Sequence, residues 1–149
     1  PATISTPPTP APSTPSATSP AQQVEAAVRA YYAELTRAAQ TNDTSVLKTL
    51  TTKGCPCYRS VTVIDRNARR GYQTPDASFS VVGITVHDVE PKNAAAQVRT
   101  SEAPYDVIDK SDKKIGHVST RRRFLDLSLV QAPSGQWIIA NEFDLKGSG

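Results

Sequence analysis

An α+β fold, with helices laid on one face of a curved antiparallel sheet, is predicted by three features of the sequence. Apolar residues between Ala21 and Gly71 recur at helical spacing. Between Ser78 and Leu145 the chain changes to four runs of strand type, dense in β-branched residues. Short polar clusters join those runs, so strands that are neighbours in sequence are expected to be neighbours in one sheet.

Taken in order, residues 1–20 hold only Pro, Thr, Ser, Ala and one Ile, with seven of the 12 prolines in the chain. Such a segment buries too little apolar surface to offset the entropy of ordering, so an extended, mobile stalk is expected. Its composition suits a wall-spanning or O-glycosylated tether and an ordinary linker equally. Met is absent and the first residue is Pro, which leads us to expect an upstream signal peptide or anchor that has been removed.

The first helix is predicted from Ala21, because Val24, Val28, Tyr31, Leu35 and Ala38 share one helical face. Ser19-Pro20 is a suitable start for it. Asn42-Asp43 breaks the period, and Asp43 is placed to cap a second, short helix carrying Val46, Leu47 and Leu50. After Gly54 a third helix puts Cys57, Val61, Ile64 and Ala68 on one face and stops at Gly71.

The first strand run, Ser78 to Val89, changes apolar parity around Gly83, from Phe79 and Val81 to Val82, Ile84 and Val86. A bulge or bend is expected there. The second, Ala94 to Ile108, contains Pro104, which cannot donate to a ladder and so marks an edge or a bulge. The third, Lys114 to Gln131, alternates most cleanly, with Leu125, Leu127 and Leu129 opposed to Asp126 and Ser128. In the last, Gln136 to Leu145, the residues Trp137, Ile139, Phe143 and Leu145 share parity, interrupted by Asn141.

The formal charge is only +3, and basic residues are massed only at Arg69-Arg70 and Arg121 to Arg123. A general nucleic-acid role therefore has little electrostatic support. No run reaches the length of a membrane span. The expected organisation is the stalk at 1–20, one domain at 21–145 and a frayed tail at 146–149, the domain being about 125 residues and large enough for one core.

The long helix around Val24 to Ala39, the Asn42-Asp43-Thr44 break and the closing Gly135-Gln136-Trp137-Ile138-Ile139 strand together resemble the NTF2-like superfamily. That cone-shaped fold is shared by ketosteroid isomerases, polyketide cyclases and many non-enzymatic binding domains. The resemblance implies three N-terminal helices packed on a curved four-stranded antiparallel sheet. The Thr/Pro stalk and the Cys pair are also similar to uncharacterised actinobacterial envelope lipoproteins. This likeness implies export, lipid anchoring through an upstream residue, and mannosylation of the stalk.

Cys55-Pro56-Cys57 is the most unusual local feature. In an exported protein the two thiols are expected to be oxidised, because their spacing lets the Cα atoms reach bridging range. A structural clip between the second and third helices is the plain reading, and a redox role the sharper one. Arg121 and Arg123 continue the parity of Leu125, Leu127 and Leu129, so they are candidates for binding an anionic ligand or an acidic partner at the open end of the cone. Their stems could equally lie over the core, or a bulge could invert the parity. Tyr31, Tyr72 and Trp137 complete the candidate binding set.

No spacing demands catalysis, and no metal or cofactor is expected. Asp65 and His87 are the acid-base candidates for an isomerase, cyclase or dehydratase alternative, which would need them in an apolar pocket beside Tyr. The leading expectation is a non-catalytic extracytoplasmic domain, monomeric or dimeric, held to a membrane only through an upstream anchor. Its ligand would be an envelope protein or a small molecule, not nucleic acid.

Overall fold

The computed structural model describes residues 3–9 and 18–145. The expected stalk falls partly, and the expected tail wholly, outside the described residues; residues 3–9 are exposed and carry no helix or strand. Helix α1 spans Pro20–Thr41 and opens with a capping box, in which the Ser19 hydroxyl accepts from the Gln22 amide and the Gln22 side chain accepts from the Ser19 amide. Such a cap stabilises a helix by about 1 kcal/mol. Asn42 ends α1 in the left-handed conformation, and its side-chain amide donates to the Tyr72 carbonyl at 2.8 Å, tying the end of α1 to the loop beyond α2.

Among the described residues two α-helices form where three were expected. The segment after Asn42 makes only a 3-10 turn, Leu47–Thr49. Asp43 accepts from the amide and hydroxyl of Ser45, and the Thr49 hydroxyl bonds to the Val46 carbonyl, so short polar side chains compete for the groups a helix would use. By Thr51 the chain already pairs with Ile139 of the sheet, leaving no room for a second turn. Leu47 is nonetheless fully buried. A further 3-10 turn, Pro56–Tyr58, leads into α2, Arg59–Arg70, which ends on Gly71 at φ 71°, a conformation suited to glycine.

The sheet is antiparallel, but the second and third runs each split in two. They give β2 (Asn93–Glu102) and β3 (Tyr105–Ile108), then β4 (Lys114–Val118) and β5 (Arg121–Gln131). With β1 (Phe79–Val89) and β6 (Trp137–Asp144), the main sheet runs β1-β2-β5-β6, while β3 and β4 pair as a separate hairpin. Pro104 on one strand stands against Ser119-Thr120 on the other, and there the long hairpin leaves the plane of the sheet. Reciprocal backbone bonds between Gln73 and Ile108, 2.9 and 3.0 Å, hold β3 beside the loop after α2.

Bulges decide which side chains face inward. In β1, Val81 pairs with Thr100 and Gly83 with Arg99, so Val82 is the extra residue. The parity change in the sequence is thereby absorbed: Phe79, Val81, Ile84 and Val86 all pack against the core, and Val82 alone of the set is left exposed. In β6 the register passes from Leu129–Ile139 to Ser128–Asn141, which makes Ala140 the extra residue. Phe143 and Leu145 were expected to share the inner face with Trp137 and Ile139. Beyond the bulge the parity inverts, Phe143 is 54% exposed, and Glu142 and Asp144 stand opposite Leu127 and Leu125 on the inner face.

Candidate functional site

The space between α1, α2 and the open end of the sheet is a cavity of about 520 Å³, within the range that holds small organic ligands. α1 supplies its floor. Tyr31 and Tyr32 are adjacent in sequence, yet both are buried and meet edge to face with ring centroids 5.0 Å apart. Leu35 and Ala39 extend the floor by one and two turns, and Phe79 closes it on the β1 side. Ser60, Ile64 and Asn67 form the α2 wall, and Tyr105 of β3 reaches over from the hairpin.

The opposite wall is charged. No bulge separates Arg121 from Leu129 in the pairing of β5 with β2, so Arg121 and Arg123 keep the face of Leu125 and Leu127. Both line the cavity, as does Tyr31. Arg123, however, is not a bare cation. Its guanidinium donates to both carboxylate oxygens of Asp144 at 3.0 and 3.1 Å and to Glu142 at 3.2 Å. Glu142 is the most enclosed member, with 12% of its side chain exposed. Of the two cations expected to greet an anion, Arg123 is thus matched inside the protein before any ligand arrives, while Arg121 stands exposed at the rim of the cavity.

The titration of these groups follows from their surroundings. Burial raises the Tyr31 and Tyr32 hydroxyls well above the usual phenol range, and the Glu142 carboxylate raises both further. For Tyr31, a hydrogen bond with Ser60 works in the other direction. Burial, with help from Glu102, pushes Tyr105 up to about 12. All three phenols therefore stay protonated near neutral pH and can donate a hydrogen bond. Burial disfavours the Arg123 cation, but Asp144 and Glu142 outweigh it and its pKa is raised. Asp144 is lowered in turn, chiefly by its hydrogen bond from Arg123.

Of the other sequence candidates, only Cys57 reaches the cavity wall. Trp137 is buried in the core, 6% exposed, and its indole Nε1–H has no partner among the described residues. Tyr72 sits half-buried in the loop after α2, outside the cavity wall. Asp65 faces the Asp43–Thr49 segment, accepting from the Thr44 hydroxyl at 2.6 Å and pairing with Lys48 at 3.1 Å. The Thr44 bond lowers its pKa. His87 is on the far face of the sheet, between Asp88 and Asp126 at 2.9 Å each, so neither acid-base candidate enters the cavity. Cys55 and Cys57 are joined as a disulfide with their Cα atoms 5.1 Å apart. Both are buried, and Cys57 lies on the cavity wall with its sulfur 2.7 Å from the Thr51 hydroxyl.

Glu142 and Asp144 are the site residues that sequence reasoning missed. Strict alternation through β6 sends both outward, and Ala140 carries no glycine or proline to announce a bulge. Asn141 was the available signal, since a polar residue breaking an apolar face is satisfied when the strand shifts register beside it. Its side-chain oxygen accepts from the Glu142 amide at 2.9 Å.

No known protein family matches the sequence, and no curated protein matches it. Solved structures do share the fold. The intermembrane space region of the chloroplast protein ARC6 superposes with a TM-score of 0.61 at 14% identity, over 85% of this chain and 97% of that one. An uncharacterised Caulobacter vibrioides protein with a cystatin-like fold gives a TM-score of 0.54 at 14% identity, over 85% and 90% of the two chains. The association domain of C. elegans CaMKII gives 0.52 at 14% identity, over 82% and 94%. Identities of this size speak to fold, and they support an NTF2-like, cystatin-like architecture of α+β class.

Proposed function

We propose that this chain is a non-catalytic binding domain that takes a small ligand, or an inserted side chain of a protein partner, into the open end of the cone. We further propose an extracytoplasmic setting, as part of a membrane-anchored envelope protein like the actinobacterial lipoproteins it resembles. The observation that carries the binding reading is the internal matching of charge on the cavity wall. Arg123 is committed to Glu142 and Asp144, and no histidine lines the space. A general base must be free to take a proton from its substrate, and here Glu142 and Asp144 are held by a guanidinium while Glu102, the third carboxylate of the wall, is hydrogen-bonded with Tyr105. What the cavity offers instead is aromatic surface and protonated phenols, which suit recognition. The buried Cys55–Cys57 disulfide fits an oxidising compartment.

The alternative, a small-molecule isomerase, cyclase or dehydratase, is favoured by one observation: Glu142 is a largely enclosed carboxylate close enough to raise both Tyr31 and Tyr32. A compound screen followed by amide chemical shifts separates the two. The binding reading expects hits that move the amides of Ser60, Asn67 and Tyr105 and that are recovered unchanged from the wild type. A compound consumed by the wild type and left intact by Glu142→Gln would replace it with the enzymatic reading. The association-domain neighbour makes self-association worth measuring alongside; a monomer or dimer is expected by gel filtration.

A further inference from the structure

The fold brings together a second set of charges, outside the cavity. The last two turns of α2 carry Arg66, Arg69 and Arg70, all exposed. The tip of the β3–β4 hairpin carries Lys110 and Lys113, also exposed. These segments are far apart in sequence, and the Gln73–Ile108 backbone pair docks one against the other. They touch: the stem of Lys110 lies over Gly71, in the space a Cβ there would need. Among the described residues none of the five makes a close ion pair, and Arg69 alone acts on an acid of its own helix, Asp65, through charge.

The acids nearby are largely occupied. Asp65 is bridged to Lys48 and Asp106 to Lys114, while Asp109 accepts the amides of Ser111 and Lys113. Asp109 keeps its negative charge despite those amides, and with Asp112 it balances Lys110 and Lys113 in formal charge, so the net positive charge of this end is that of Arg66, Arg69 and Arg70. Arginines at a helix end also meet the negative pole of that helix, which accounts for Arg69 and Arg70 but not for lysines held against them from another element.

We infer that this basic end of the molecule is a docking surface for an anionic bilayer. Shape favours a membrane over an acidic peptide. A helix end and a hairpin tip are both convex, and the residues from Lys110 to Ile115 are all exposed. A peptide needs a groove or a strand edge to be gripped, whereas a charged plane needs only protruding cations, each of which strengthens binding several-fold. Ile115, 43% exposed beside Lys113 and Lys114, adds an apolar contact at headgroup depth. The cavity reading does not enter this argument, and either can fail without the other.

The test is co-sedimentation of the protein with phosphatidylcholine vesicles, with and without about 30 mol % phosphatidylglycerol, at low salt and at about 0.5 M salt. Wild type is expected to bind only the anionic vesicles and to be released by salt. The variant Arg69→Gln/Arg70→Gln/Lys110→Gln is expected to lose about tenfold or more in binding. A control, Arg29→Gln/Lys53→Gln/Lys92→Gln, removes the same charge elsewhere and is expected to lose far less; circular dichroism checks that both fold. Equal losses in the two variants, or no vesicle binding at low salt, would overturn the inference. Absent vesicle binding together with salt-sensitive binding of poly-glutamate that only the first variant loses would assign the surface to an acidic polypeptide instead.

Discussion

Two strands of the same sheet, β1 and β6, each carry a bulge, and the two bulges do opposite things. In β1 the extra residue repairs a broken pattern, turning two out-of-phase apolar sets to one side and leaving only Val82 in water. In β6 the extra residue breaks an intact pattern, turning Phe143 out and Glu142 and Asp144 in. The first serves the core. The second serves the cavity, since it is what brings carboxylates to the side of the sheet where Arg123 waits. The difference shows that a bulge which makes packing worse, exposing Phe143 and enclosing Glu142, points to a site.

The strongest way to break this comparison is Leu127→Asp. Leu127 is 1% exposed on the inner face and stands opposite Glu142. An unpaired carboxylate there, facing one that Arg123 already holds, costs upward of about 4 kcal/mol, enough to unfold a domain of this size. Unchanged melting would mean that the inner face has been assigned to the wrong side. Deleting Ala140 comes next. It removes the bulge, sends Glu142 and Asp144 outward and buries Phe143, so a loss of about 2 kcal/mol is expected together with loss of shifts in the Tyr31 and Tyr32 resonances on ligand addition. Deleting Val82 instead is expected to disturb the core while leaving the charged wall in place.

How much of this was legible in the sequence follows the same division. The bulge in β1 announced itself through Gly83 and the change of parity, and the departure of the β3–β4 hairpin was foreshadowed by Pro104, because both residues carry their backbone constraints with them. The inner face of β5 was readable from Leu125, Leu127 and Leu129, and with it the placement of Arg121 and Arg123. What could not be read was the partner of Arg123. That depends on a register shift at an alanine, which has no conformational signature, and on a pairing fixed by tertiary contacts of Leu50 and Thr52 with Ile139. The second helix failed for a related reason: local helical spacing in Val46, Leu47 and Leu50 was overridden by side-chain bonds of Asp43 and Thr49 and by the bridge from Thr51 to the sheet.

Titration sharpens the comparison with opposite signs. His87 is the extra residue of a second shift in β1, on the outer face, and its pKa is raised above 6.5, chiefly by Asp126. Its contribution to stability is present below the ordinary value and is lost as pH rises through the raised one. Asp144 lies beyond the β6 bulge, and its pKa is lowered below 3.8. Its contribution is present above the ordinary value and is lost as pH falls through the lowered one. Asp126→Asn should therefore flatten the neutral-to-alkaline limb of a denaturation-versus-pH curve, and Arg123→Met the acidic limb; the reverse assignment would contradict both placements. The smallest effect is expected from Val82→Thr, which at 69% exposure should change stability by less than about 0.5 kcal/mol.

The pairing that the β6 bulge creates can be measured directly by a double-mutant cycle on Arg123→Met and Glu142→Gln, read by chemical denaturation. If Glu142 faces inward against Arg123, the two changes are coupled by about 1 kcal/mol or more, because Arg123→Met strands the enclosed Glu142 carboxylate and the double variant does not, while Glu142→Gln leaves Arg123 its pair with Asp144. Additive effects, with coupling indistinguishable from zero, would place Glu142 on the outer face and remove the charged wall on which the cavity reading stands.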